Sequence, residues 1–267
     1  MINDHVQNPA PNLEGRTLYF PYARDVIYAL ASACRAVGMS AEVLPKQDEE
    51  TIELGRKHTS GQECFPMIAT AGSFLKKLME PGIDPKKTAF FMPDHNGPCR
   101  FGHYNKLQRI LFNRLGFNDA EIVQPSNEDA YASIAPGHST KWRTITYKGI
   151  VAIDILRKMQ QQKRPYELIK GETNKVYQDC LNSVVESLEN GAKNLKVVLK
   201  DSAIKFNFQS LHYLKIRYYS SEITFYTKNF DKFSMYNSLK LHSNDSSFKK
   251  LQSTAKMSFA VRLTSNN

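Results

Sequence analysis

What this 267-residue chain lacks narrows it first. No apolar run approaches the ~20 residues needed to cross a bilayer, and the opening MINDHVQNPAPNLEG holds no apolar segment of signal-peptide type. A soluble cytoplasmic protein is the expectation. Only four cysteines are present (Cys34, Cys64, Cys99 and Cys180), none in a CxxC pair, so a disulfide scaffold is not expected. No GxGxxG follows the first predicted strand, where YFPYARD stands instead, which argues against a dinucleotide fingerprint. GxxxxGK[ST] is absent, so ATP binding through a P-loop is not expected. There is no G-x-S-x-G nucleophile elbow, and no internal repeat. A further absence is regional. All 13 glycines and all 12 prolines precede Asn207, leaving 61 residues without either kind of turn punctuation.

Charge divides along the same line. The net charge is +10, but from Asn207 onward nine Lys/Arg face three Asp/Glu, so that stretch carries +6 and the first 206 residues only +4. No basic motif interleaved with aromatics points to nucleic acid. Neither a nucleic-acid nor a membrane partner is expected. Ser, Asn, Lys, Phe and Tyr accumulate in the tail, a composition that fits out-of-frame translation, an unrelated extension or a divergent β-rich segment. The expected organisation is a lead-in over 1–15, a module over 16–206 and an atypical, poorly ordered or non-native tail over 207–267.

Within the module, strands alternate with helices. RTLYFP (16–21), AEVL (41–44), TAFFM (88–92) and EIV (121–123) read as short strands. Helices are expected over about 24–37, 48–57, the segment after Cys64, and 105–115, where Leu107, Ile110, Leu111 and Leu115 would face inward. ASIAPGHSTK reads as a loop. Helices follow over 142–162 (inner edge Ile150, Ile153, Leu156 and Met159), 173–189 and 193–206, with Pro165 as a breaker. This order predicts an α/β fold: a Rossmann-like lobe with a mainly parallel sheet flanked by helices, then further helices and the tail. In such sheets chemistry collects where strands end and helices begin.

Two cysteines stand in loops suited to presenting thiolates. Cys64 (HTSGQECFPM) opens a helix, whose unpaired N–H groups lower a thiol's pKa. Cys99 (DHNGPCRFGH) has Arg100 beside it and Gly97–Pro98 before it, which would let backbone amides approach a cluster's sulfurs. Cys34 and Cys180 instead lie on helical apolar stripes and read as core. Three chemistries compete: two ligands of an iron–sulfur cluster; a zinc site drawing a histidine from His95 or His103; and a reversible thiol pair. Two unrelated loop cysteines are the plain alternative. Glu63, Asp94 and His58 read as ordinary loop or helix-start groups.

The blocks GRKHTSGQECFPMIATAGSFLKKL, AFFMPDHNGPCRFGHYNKLQR and RPYELIKGETNKVY resemble the 2-hydroxyacyl-CoA dehydratase-type iron–sulfur proteins, especially the activase-related members. The likeness covers about Pro11 to Phe206. It implies a [4Fe–4S] cluster with Cys64 and Cys99 in the family's cysteine positions, and Glu63, Gly97 and Arg100 around them. It also implies an ATP-dependent activator domain or protein as electron donor, a further dehydratase-like lobe or subunit, and an acyl-CoA substrate in the dehydratases. The chain departs from that pattern by lacking a cysteine after Phe206 and the activator domains. The expectation is therefore an electron-transfer component, incomplete alone and truncated, with a cluster-free interaction module or a zinc-binding structural module as the alternatives.

Overall fold

Thr17–Phe20 forms β1, with Leu18 and Phe20 turned to one face of a sheet and Tyr19 to the other. The computed structural model describes residues 13–126, 129–167 and 169–219, with side chains through 207. β2 (Ala41–Val43), β3 (Thr88–Phe91) and β4 (Glu121–Val123) complete a four-stranded sheet in the order β2-β1-β3-β4, with every pairing parallel. The four expected strands are all present, and the chain is an α/β protein with a Rossmann-like sheet. Phe20 and Phe91 meet at 4.8 Å on one face; Tyr19 and Phe90 meet at 5.9 Å on the other. Both faces are covered, as parallel sheets require.

The intervening helices are α1 (Ile27–Ala36), α2 (Glu49–His58), α3 (Phe65–Leu78) and α4 (Tyr104–Arg114). Right-handed crossovers in this strand order put α3 and α4 on the same face, side by side, with α1 on the opposite face. One cluster unites that face: Phe74 and Leu75 from α3, Phe112 and Leu111 from α4, and Tyr19, Phe90 and Ile122 from the strands. The buried stripe of α4 is Tyr104, Asn105, Gln108, Leu111 and Phe112, with Leu107 and Leu115 packed against the same cluster as expected; Ile110, also expected inward, is half exposed. The polar Gln108 occupies a core position because it bonds Thr70 of α3, which a hydropathy pattern does not reveal.

Helix α2 starts on Asp48, whose carboxylate accepts from the Thr51 N–H at 2.8 Å. It packs on α3 through two glycines. A Cβ at Gly55 would overlap the Ile68 carbonyl, and one at Gly72 the Thr51 carbonyl, so the two backbones touch. Lys76 adds ion pairs to Asp48 and Glu50.

Helix α5 (Ser139–Lys163) begins within the segment expected to be a loop, and a 3-10 turn covers Ala132–Ile134 of the same segment. Its buried stripe is Trp142, Ile145, Thr146, Gly149, Ala152, Ile153 and Leu156. Ile150 and Met159, expected inward, are only partly covered. Small residues carry the contact instead: Gly149 lies against Ala29 of α1 and Leu188 of α6 (Glu172–Glu189). Between α5 and α6, Pro165 sits in a 3-10 turn, Arg164–Tyr166, as a breaker should. The last element, α7 (Leu195–Tyr219), runs through Asn207, so the change in composition falls inside a helix. The remainder of the atypical tail, 220–267, and most of the lead-in, 1–12, lie outside the described residues.

The chain divides into two units, Met1–Lys158 with Tyr177–Leu199, and Met159–Val176 with Lys200–Asn267. The sheet and both loop cysteines belong to the first. Among the described residues, no helix is long and apolar enough to cross a membrane.

Candidate metal-binding rim

The carboxyl ends of the four strands define one rim of the sheet, and both loop cysteines lie on it. Helix α3 leads back to the start of β3, so its N-terminus stands at that rim; Cys64 is its N-cap residue, in extended conformation. Pro66 falls in the first turn, where a missing N–H leaves no bond unmade. Cys99 follows β3 and caps a 3-10 turn, Arg100–His103, that runs directly into α4. Cys64 thus directly precedes α3, and Cys99 directly precedes the 3-10 turn that leads into α4.

Cross-links hold these two starts together. Arg100 Nη1 donates to the Gln62 carbonyl at 3.2 Å, tying the residue after Cys99 to the loop before Cys64. Tyr104 Oη lies 2.6 Å from Cys64 Sγ. One turn further along, Gln108 Nε2 donates to Thr70 Oγ1 at 3.1 Å. Tyr104 is buried, and its ring stacks edge-on against Phe101 at 5.2 Å. Burial, the bond to Cys64, and the charges of Cys64 and Cys99 all push the phenol's pKa above its ordinary value. The phenol therefore feels both sulfurs.

The surrounding residues differ in role. Glu63 Oε1 accepts from the Ser60 N–H at 3.1 Å and the Ser60 hydroxyl at 2.9 Å, closing the turn that delivers Cys64. Burial opposes its charge, but amides of Ser60, Glu63 and Gly61 with the Ser60 hydroxyl outweigh it and lower its pKa. Its other oxygen, Oε2, is buried without a partner. Gly97 stands against its own loop. A Cβ there would overlap the His95 imidazole, so the lack of a side chain makes room for that ring as it lies here. A Cβ at Gly102 would overlap the His95 carbonyl, so the loop closes on itself between two glycines. Asp94 N–H donates to the Pro125 carbonyl at 2.9 Å, fixing this loop to the one after β4.

Two thiols are the beginning of a ligand set and not the whole of one. Among the described residues no group of three or more His, Cys, Asp or Glu side chains is placed to hold an ion. The tetrahedral zinc set with His95 or His103 is thus not assembled within the described residues. No family model, curated protein or solved structure matches the chain. The chemistry must be read from the rim itself.

The other two thiols are core. Cys34 and Cys180 are fully buried. Trp142 Nε1 donates to Cys34 Sγ at 3.1 Å, and burial pushes the Cys34 thiol up to about 12 against that bond and the Arg35 charge. Cys99 is exposed and Cys64 half-buried. Alkylation of the native chain should therefore label Cys99 first and Cys64 more slowly. Cys34 and Cys180 should label only after denaturation, a ranking that peptide mass spectrometry reads directly. Early labelling of Cys34 would contradict the described core.

Proposed function

We propose that this chain supplies part of an iron–sulfur cluster site, as an electron-transfer component of a 2-hydroxyacyl-CoA dehydratase-like or ATP-dependent reductase system. The observation that carries the reading is the pairing of Cys64 and Cys99 at adjacent helix starts on one rim, joined by Arg100 and Tyr104. The resemblance of the ECFP and GPCRFG blocks to that family supplies the identity of the cluster, a [4Fe–4S] centre. Cys64 and Cys99 fit two of its ligand positions as thiolates. The remaining ligands come from a further dehydratase-like lobe or subunit. Exposed Phe65, Pro66 and Pro98 flank the two cysteines as apolar surface for such a lobe to cover.

A bound cluster would supply a one-electron carrier tuned by burial and sulfur hydrogen bonds. The chain's own contribution is to hold two sulfurs in fixed relation and to leave Cys99 open to the covering lobe. Glu63 shapes the loop that presents Cys64, and Arg100 locks the two loops. The activator protein, the acyl-CoA substrate and the second lobe belong to this reading as partners.

Anaerobic reconstitution of the full chain with iron and sulfide tests it, with a small thiol in the buffer completing the coordination. A brown chromophore with bound iron is expected, lost in Cys64→Ala and in Cys99→Ala and kept in Cys34→Ala. A wild-type chain that takes up no iron would leave the cluster-free interaction module as the better reading, and uptake of zinc instead would revive the structural zinc site.

A further inference from the structure

The segment PGHSTK, which carries none of the rim chemistry, leads into an open cavity of about 510 Å³. That volume lies within the ~300–1,000 Å³ of small-molecule sites. The cavity is lined by the start of α5, from Gly137 as far as Lys148, together with Gly191 of the turn after α6. All of these residues belong to the first unit.

Its charge has one sign. Lys141 and Lys148 line it, two turns apart along one side of α5. No acidic residue lines it, and the first turn of α5 holds none. Among the described residues neither lysine has an ion pair. Glu189, two residues before Gly191, is taken by Arg35 at 2.7 Å. A cleft lined by one sign of charge concentrates counter-ions, and here the protein supplies none. The neutral donors are equally unspent. Among the described residues, the N–H groups of Ser139, Thr140 and Lys141 and the hydroxyls of Ser139 and Thr140 have no hydrogen-bond partner. A helix start alone would be a solvated terminus. The two uncompensated lysines that share the cavity are what set this one apart.

Every unspent group but the two hydroxyls can only donate or carry positive charge, so the complementary ligand is an anion with several acceptor oxygens. A phosphoryl group has three. Buried Ile145 in the same lining offers apolar contact to whatever bears it. We propose that the α5 cavity binds a phosphate-type oxyanion, free or carried on a small molecule, with Lys141 and Lys148 as its counter-charges. The proposal depends on neither the rim cysteines nor a cluster.

Calorimetric titration of the full chain tests it, in dilute buffer free of oxyanions, with inorganic phosphate and with glycerol 3-phosphate as probes. Saturable binding is expected, weakened roughly tenfold in Lys141→Gln and in Lys148→Gln. Both lysines are exposed, so equal thermal melts should accompany the loss. Lys158→Gln, which removes the same charge from α5 outside the cavity, should bind as wild type does. Tighter binding of glycerol 3-phosphate supports a phosphate carried on a small molecule, and equal or tighter binding of inorganic phosphate supports the free ion. No saturable binding of either probe overturns the proposal, as does unchanged affinity in both cavity variants. A loss in Lys158→Gln as large as theirs also overturns it, because net charge alone would then account for the attraction.

Discussion

Gly72→Ala should lower the urea midpoint of unfolding sharply, with the slope unchanged, corresponding to a loss of about 2–3 kcal/mol. Alanine is the better helix former by about 1 kcal/mol, so an exposed site would gain from the change. Here the new methyl would land on the Thr51 carbonyl oxygen and crowd the Gly55 amide, both backbone atoms of α2. No rotamer relieves a clash between a Cβ and a main chain. The only relief is for α3 to move off α2, which loosens the packing of buried Met67, Ile68 and Leu75 and separates Lys76 from Asp48 and Glu50. Overpacking therefore outweighs propensity. Gly149→Ala makes a partial contrast: its methyl would meet Leu188 Cδ1, the end of a side chain that can turn aside, but also Ala29 Cβ, which moves only with its backbone. Because α3 begins at Cys64, the same displacement should also loosen the sulfur from Tyr104 and speed Cys64 alkylation relative to Cys99.

The strands were legible because each is a short apolar run closed by a turn residue or a helix start. Pro21 follows β1, for example, and Pro93 closes the run begun by β3. The helix stripes were less so. On α4 the sequence offers Leu107, Ile110, Leu111 and Leu115 as one apolar edge, yet the helix is rolled to bury Gln108 and Asn105 and expose Ile110. For Gln108 a partner on the next helix outbids hydropathy, and that partner, Thr70, lies 38 residues away; Asn105 is buried with neither amide atom partnered, and this reason does not reach it. On α5 the large residues misled because close approach to α1 and α6 selects Gly149 and Ala152 over bulk.

At the rim, the cysteines and Arg100 were visible as loop residues of distinctive chemistry. Tyr104 was not, because a tyrosine opening a helix is ordinary. A signal did exist in the spacing: Tyr104, Gln108 and Leu111 share one helical face, and two polar side chains on a face that also carries Leu111 imply partners across it. The fold-back of His95, whose imidazole lies against Gly97 and whose carbonyl lies against Gly102, is encoded by no local pattern.

Asp25→Ala should be comparably damaging, at about 3 kcal/mol, and it concerns the other end of the same rim. Asp25 is buried in the loop after β1, and its carboxylate accepts from three donors: Tyr22 Oη at 2.7 Å, Tyr177 Oη at 2.7 Å and Arg157 Nη1 at 2.9 Å. Alanine leaves all three without an acceptor. Arg157, 40% exposed, can turn to water, so most of the loss comes from the two hydroxyls. The loop is also strained, since Arg24 sits at φ 139, in a region that favours glycine. With the carboxylate gone, nothing in this network opposes relaxation of that residue. Burial alone would raise the Asp25 pKa, but the hydroxyls of Tyr177 and Tyr22, then the charges of Arg157 and Lys46, outweigh it and hold the carboxyl below its ordinary value. A depressed folded pKa stabilises the chain above the unfolded carboxyl's value, about 3.9, and that contribution is lost as pH falls through the folded value. Unfolding by urea should therefore show wild type and Asp25→Ala far apart near neutrality and converging in acid. A gap that stays constant across that range would mean that shape, and not the ionised carboxylate, is what the loop requires.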